Sequence, residues 1–308
     1  ILHERNTSIV PHQRRIYKYN SSTNQYNHDS NITHTTSNNY KPKQTQLSYN
    51  GTVIALDTEF SSTSLQNANL AIHRYNGSSW TLEQTFNPSS FDNYNVTYFL
   101  TSFKLSNNGN AIAWSFWQLN TTTTTEADVF ISYYGGSTWG TPETVFTRPS
   151  SLVGYSPGKN VSINNDGTLV AFEGDRTSTT STYEYVDNVY IYHKVSGAWA
   201  LKHKIDNPVT DRYFGMGAFD KDFIPGMQFT EYNDIFINSG STNSASEGGH
   251  GFLFNSLGAE IYRKSYAHTN GNNRRYSIIC NDGSKLFFAD YENHGSSNQV
   301  VPYYFQCD

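Results

Sequence analysis

"LSNNGNAIAW" at residues 105–114 has near copies elsewhere in the chain: "LSYNGTVIAL" at 47–56, "INNDGTLVAF" at 163–172 and "ICNDGSKLFF" at 279–288. Gly51, Gly109 and Gly167 are spaced by 58 residues, and Gly283 lies 116 residues further on, two more periods of the same length. A fifth copy, "FTEYNDIFIN" at 229–238, has Asn233 where the others have Gly. Asn tolerates positive φ nearly as well as Gly, so the turn survives the exchange. Each copy is a pair of alternating apolar segments around an Asn-Gly or Asp-Gly turn, which is the strongest short-range hairpin signal.

A second line follows each of the first three copies. "NLAIHRYNGSSWTLEQTF" (69–86), "DVFISYYGGSTWGTPETVF" (128–146) and "NVYIYHKVSGAWALKHKI" (188–205) share an alternating segment, a turn and then Trp80, Trp139 or Trp199. "GFLFNSLGAEIYRKSY" (251–266) is a degenerate copy with Ile261 in the Trp place. Four antiparallel strands repeated at this period predict an all-β fold, a β-propeller. One four-stranded sheet cannot cover both of its apolar faces, whereas sheets packed face to face around an axis can. The tryptophans are expected between neighbouring blades.

The chain ends fit this scheme. "RRIYKYNSSTNQYNHDSNI" (14–32) reads as the second half of a unit, with Tyr26 in the Trp place, and "YSIICNDGSKLFFADYE" (276–292) as a first half. The expected layout is a single propeller domain over 1–308. It has a half-blade at 1–33, blades at about 47–91, 99–148, 155–208 and 214–268, and a half-blade at 274–308. The two halves close the ring, giving about five four-stranded blades, or six or seven if the chain is a fragment. "VVPYYFQ" (300–306) reads as a third C-terminal strand that this count does not use.

Composition narrows the function. Charged residues make up 15% of the 308, against about 25% in a typical soluble protein, and aromatics make up another 15%. The net charge of −5, with no Arg-rich run, argues against nucleic-acid binding through phosphates. No apolar run is long enough to span a membrane as a helix. The chain opens at Ile1 without a leader pattern and reads as a mature or trimmed product. Cys280 and Cys307 are the only cysteines. They are read as a disulfide that pins the C-terminus and contributes roughly 3 kcal/mol; the other reading is two free thiols.

Leu-Ser-x-Asn-Gly-x-x-Ile-Ala, then Val-x-Ile-Tyr, then Gly-x-x-Trp, resembles the FG-GAP-type propeller repeat of the integrin α head. "YFGMG" (213–217) and "VGYSPG" (153–158) resemble the Phe-Gly element that opens such repeats. The resemblance implies an extracellular adhesion, surface or structural role. It does not extend to the integrin-type calcium loop, because "NNDG" and "CNDG" keep a single Asp each.

Candidate chemistry is sparse. Asp57/Glu59, Glu173/Asp175 and Asp290/Glu292 recur after the second strand of a unit. Residues i and i+2 share a strand face, so each pair could offer oxygens to calcium, but calcium wants six to eight. Solvated loop ends are the favoured reading, and no cofactor is expected. "SYYGGSTW" (132–139) resembles the Asp-box hairpin of sialidases with Tyr134 in place of Asp. The arginines a sialidase would need, Arg74, Arg148, Arg176, Arg212 and Arg263, are scattered. Asp175, Asp220, Asp222 and Glu231 are the loop acids a two-carboxylate glycosidase would draw on. His250, His193 and His203 lack metal-ligand spacing and are read as loop histidines. Aromatic clusters at 183–192, 116–119 and 303–306 serve either inter-blade packing or contacts with sugars and proteins.

Sequons occur at Asn6, Asn20, Asn31, Asn50, Asn76, Asn95, Asn120 and Asn160. A chain this rich in Asn, Ser and Thr produces about seven by chance, so their number decides nothing. Asn20, Asn76 and Asn120 fall in expected turns or loops. Together these readings predict a non-catalytic extracellular or cell-surface protein that works by protein–protein contact, including self-assembly into filaments. A carbohydrate-binding lectin is the second reading and a glycoside hydrolase the third. Partners are then other protein chains or surface glycans.

Overall fold

The computed structural model describes residues 2–3, 13–33, 45–58, 69–87, 97–119, 125–147, 160–174, 176–180, 183–186, 188–208, 213–214, 226–240, 250–265, 276–280, 282–294 and 297–306. Every regular element among them is a β-strand. Sheet one comprises β1 (Leu2–His3), β2 (Gln13–Asn20) and β3 (Gln25–Thr33). Sheet two is β4 (Thr45–Leu47), β5 (Val53–Thr58), β6 (Asn69–Tyr75) and β7 (Trp80–Phe86), paired in that order. Sheet three repeats it with β8 (Thr97–Leu105), β9 (Ala111–Leu119), β10 (Thr125–Tyr133) and β11 (Glu143–Phe146).

In sheet four, β12 (Val161–Ile163) and β13 (Leu169–Glu173) are separated from β16 (Asn188–Val195) and β17 (Ala198–Asp206) by an inserted hairpin, β14 (Arg176–Thr180) and β15 (Tyr183–Val186). That hairpin reaches sheet five through β18 (Tyr213–Phe214). Both β18 and β19 (Met227–Phe229) pair with β20 (Ile235–Gly240), so the innermost strand of sheet five is split in two. β21 (His250–Phe254) and β22 (Glu260–Ser265) complete it. Sheet six is β23 (Tyr276–Ile279), β24 (Lys285–His294) and β25 (Ser297–Gln306).

The packing makes this a propeller. The innermost strands β4, β8, β12 and β19 touch in succession, and β20 touches β23. Each pair of successive sheets also encloses its own apolar layer. Alternation along the strands divides the residues between layers: Val53 and Ala55 face sheet three, while Ile54 and Leu56 face sheet one. The layer between sheets two and three holds Trp114 stacked on Phe86 at 4.8 Å and on Phe130 at 6.0 Å.

Four consecutive sheets thus follow the expected four-stranded plan, flanked by partial ones. The terminal sheets differ from half-blades in detail. Each has three strands, and "VVPYYFQ" forms most of β25 on β24. The pairings among the described residues keep sheets one and six as separate sheets.

Candidate functional site

In an antiparallel four-stranded blade the first and third strands run the same way. The first and third turns therefore open on one face, and the first turns stand closest to the axis. Here these are the repeated Asn-Gly and Asp-Gly turns. Their construction is uniform. A polar residue follows the inner strand and caps the turn, with Val53 N–H donating to Ser48 Oγ, Ala111 N–H to Ser106 Oγ and Leu169 N–H to Asn164 Oδ1, each at 2.9 Å. Asn50, Asp166 and Asp282 then accept from the N–H and hydroxyl of Thr52, Thr168 and Ser284. For Asp282 those bonds from Ser284, the backbone one first, hold its carboxyl below the usual range. Gly51, Gly109, Gly167 and Gly283 all have positive φ, as does Asn233 at 65°.

The turns are tied to one another. Tyr49 N–H donates to Asn107 O at 2.9 Å, and Asn164 Nδ2 donates to Asn233 Oδ1 at 2.8 Å. Side chains of the preceding sheet dock on the turn glycine: Arg74 Nη2 donates to Gly109 O at 3.3 Å and Tyr133 Oη to Gly167 O at 2.8 Å. Burial, then the Glu143 and Asp166 charges, pushes the Tyr133 phenol well above its ordinary value.

The tips of the turns form a rim around the axis. Tyr49 is 79% exposed and Tyr232 64% exposed, alongside exposed Asn50, Asn108, Asn165, Asp166, Glu231 and Asp282. Immediately beneath, one residue before the end of each inner strand, lie Gln46, Lys104, Ser162 and Gln228. They pair in register with Ala55, Ala113, Ala171 and Phe236. The Ala of the "IAL", "IAW" and "VAF" segments thus leaves room beside a polar inner-strand residue. Gln228 Nε2 spends its amide on Ile279 O of the next inner strand, at 2.9 Å. Lys104 has lowered proton affinity because burial disfavours its ammonium.

The sequence candidates distribute differently. Trp139 is buried and donates Nε1 to Glu83 Oε2 at 3.0 Å, and Trp199 donates to Glu143 Oε2 at 3.2 Å, each across a sheet–sheet joint. Glu173 is fully buried and accepts from Asn160 Nδ2, so it is no solvated loop end. The side chains of Asp57, Asp290 and Glu292 lie outside the described residues, as do Glu59, Asp175, Asp220 and Asp222. Among the described residues no group of three or more His, Cys, Asp or Glu is placed to hold a metal. Asp234 is pushed upward by burial, but Ser256 N–H binds it within its own sheet.

Arg74 bonds Glu83, and Arg263 bonds Glu260 within its own strand; Arg148 and Arg212 lie outside the described residues. His250 opens β21 and stacks on Phe252 at 5.7 Å rather than sitting in a loop. His203 Nε2 bonds Ser256 O at 3.1 Å. Of the aromatic clusters, Tyr190 and Tyr192 join the layer between sheets three and four.

Cys280 occupies the turn-cap place held elsewhere by Ser48, Ser106, Asn164 and Thr230, and forms no disulfide with a described residue; Cys307 lies outside them. Among the sequons, Asn31, Asn50 and Asn76 are exposed, Asn20 is half-buried, and Asn160 is committed to Glu173. Asn6, Asn95 and Asn120 lie outside the described residues. The rim tyrosines and the inner-strand ring were not singled out from sequence. Aligning the five turn copies would have placed both in register.

No protein-family model matches the chain, and no curated protein matches it. It is similar to solved structures. One is the α-L-arabinofuranosidase Arb93A from Fusarium graminearum with an iminosugar inhibitor (13% identity, TM-score 0.47, 95% of this chain and 84% of that one). A second is the polysaccharide lyase Uly1 (13%, TM-score 0.48, 86% and 57%). A third is the β-propeller domain of the Trilobed protease from Pyrococcus furiosus (9%, TM-score 0.41, 96% and 91%).

The sheet order and the packing of successive inner strands make the fold a β-propeller, and the FG-GAP type in particular is not shown. The expectation of a non-catalytic adhesion or filament protein is corrected here. The similar structures include carbohydrate-processing enzymes, an arabinofuranosidase and a polysaccharide lyase. Turn and core positions carried the adhesion reading, and those positions serve the fold in any propeller. No helix among the described residues is long and apolar enough to cross a membrane.

Proposed function

We propose that this protein is a carbohydrate-active propeller that engages a glycan across the rim of its turn face. The observation that carries the reading is the pair of exposed tyrosines, Tyr49 and Tyr232, on axial turns whose other exposed tips are the Asn amides of Asn50, Asn108 and Asn165 and the carboxylates of Asp166, Glu231 and Asp282. Aromatic faces stack on the apolar face of a sugar ring, and amides match its hydroxyls as both donor and acceptor. Both turns are fixed by internal hydrogen bonds, so the platform is built before the ligand arrives and binding orders little. The setting is extracellular: the surface is polar and weakly charged, and Asn31 and Asn76, away from the rim, present accessible glycosylation triplets.

The test is a polysaccharide panel scored for retention on immobilised protein and for release of new reducing ends. Retention of at least one polysaccharide is expected, weakened several-fold by Tyr49→Ala and by Tyr232→Ala, with reducing ends released from the retained substrate. Neither retention nor release across the panel would refute the proposal.

A further inference from the structure

We propose that Lys104 makes the axial end of the turn face an acceptor for the anionic group of an acidic sugar, a uronate carboxylate or a sulfate ester. This deepens the carbohydrate-directed reading above and rests on it. Gln46, Lys104, Ser162 and Gln228 occupy one ring at the same depth below the rim, and Lys104 is its single charged member among the described residues. Its side chain is half-buried, and no hydrogen bond or ion pair joins it to another described residue.

A desolvated ammonium without a counter-charge is costly and is usually paired. Lys18, Arg74, Lys194 and Arg263 are all paired with a carboxylate in this molecule. Among the described residues no carboxylate pairs with Lys104, and burial disfavours its ammonium. Ser162, the next member of the ring, adds a second unmet group, since its hydroxyl is fully buried and makes no hydrogen bond among the described residues.

The surroundings favour an anion on this side of the axis. The turns of sheets two and three, "SYNGT" and "SNNGN", carry no charge. The rim carboxylates Asp166, Glu231 and Asp282 belong to the turns of sheets four, five and six. An ammonium and a hydroxyl both donate to a carboxylate or sulfate oxygen, and a charge-assisted bond is about twice as strong as a neutral one.

The experiment compares matched polysaccharides on the intact protein: polygalacturonate and alginate against their carboxyl-reduced forms, and chondroitin sulfate against desulfated chondroitin. The acidic member of at least one pair is expected to bind about tenfold or more tightly than its uncharged or less charged mate. The responding pair distinguishes carboxylate from sulfate. Lys104→Gln and Lys104→Met should abolish the discrimination while neutral binding persists, and Lys104→Arg should keep it. A thermal melt of each variant confirms folding.

Equal binding of acidic and neutral mates, or undiminished discrimination in Lys104→Gln, would overturn the assignment and leave the carbohydrate reading standing. Absence of any polysaccharide binding would remove that reading and this inference together.

Discussion

The joint between sheets two and three and the joint between sheets one and two use the same parts with different completeness. At the first, Glu83 accepts from Arg74 Nε at 2.8 Å and from Trp139 Nε1 at 3.0 Å, and Arg74 lies over the Tyr134 ring at 3.9 Å. At the second, Lys18 pairs with Asp29 at 3.0 Å and lies over the Tyr75 ring at 4.1 Å. Lys18 and Arg74 hold equivalent positions, as do Asp29 and Glu83. Asp is one methylene shorter than Glu, and Trp80 Nε1 is left buried without a hydrogen bond among the described residues.

The glycines show the same contrast. A Cβ on Gly109 would meet Val53 Cγ2 at 2.7 Å, whereas one on Gly51 would meet nothing within 4 Å. Sheet one has no described inner turn to press against Gly51. A repeat position thus takes its meaning from the neighbouring sheet as much as from its own. The joint between sheets three and four teaches this again by exchange: there the aromatic Tyr133 is on the earlier sheet and the cation Lys194 on the later one, at 4.5 Å.

The sharpest way to break the comparison is to put alanine at both glycines. Both have a φ of +71°, so each substitution carries a left-handed penalty of about 1–2 kcal/mol. Gly109→Ala should cost about 3 kcal/mol or more because overpacking against Val53 is added, and Gly51→Ala only the penalty. Equal losses in urea denaturation would show that the joints are equally tight. Next, Glu83→Ala should cost about 3 kcal/mol by the same measurement, since it strands Trp139 Nε1 and a half-buried guanidinium. Asp29→Ala should change stability little, its partner being an exposed lysine.

Tyr133→Phe should cost about 1 kcal/mol through the lost bond to Gly167 O. It also tests a pH dependence. The folded Tyr133 resists ionisation while the unfolded phenol ionises at about 10. Its contribution is therefore constant below that pH and lost as pH rises above it. The variant should show a flatter alkaline stability curve than the parent. Last and smallest, Asp29→Glu should stabilise by up to about 1 kcal/mol by bringing an acceptor to Trp80 Nε1. An unchanged midpoint would mean that length is not what separates the two joints.

Much of this was legible in the residues. Asn-Gly and Asp-Gly at a fixed period can do little but turn, and alternating segments around them can do little but pair, so strands, turns and blade order followed from local chemistry. The positive φ of Asn233 followed in the same way. Other features were hidden because they depend on distant partners. The hairpin β14–β15 and the split inner strand of sheet five have no counterpart in the other copies, so the period could not announce them. Glu173 looked like a loop acid because nothing local revealed Asn160 over it.

By itself, the sequence determined that the chain would form repeated antiparallel sheets with buried faces, because periodicity and turn residues act over a few neighbours. Only the tertiary structure decided that Tyr49, Tyr232 and Lys104 share one end of the axis. Residues of that kind are brought together by packing between sheets, and sheet packing is not written in any ten consecutive letters.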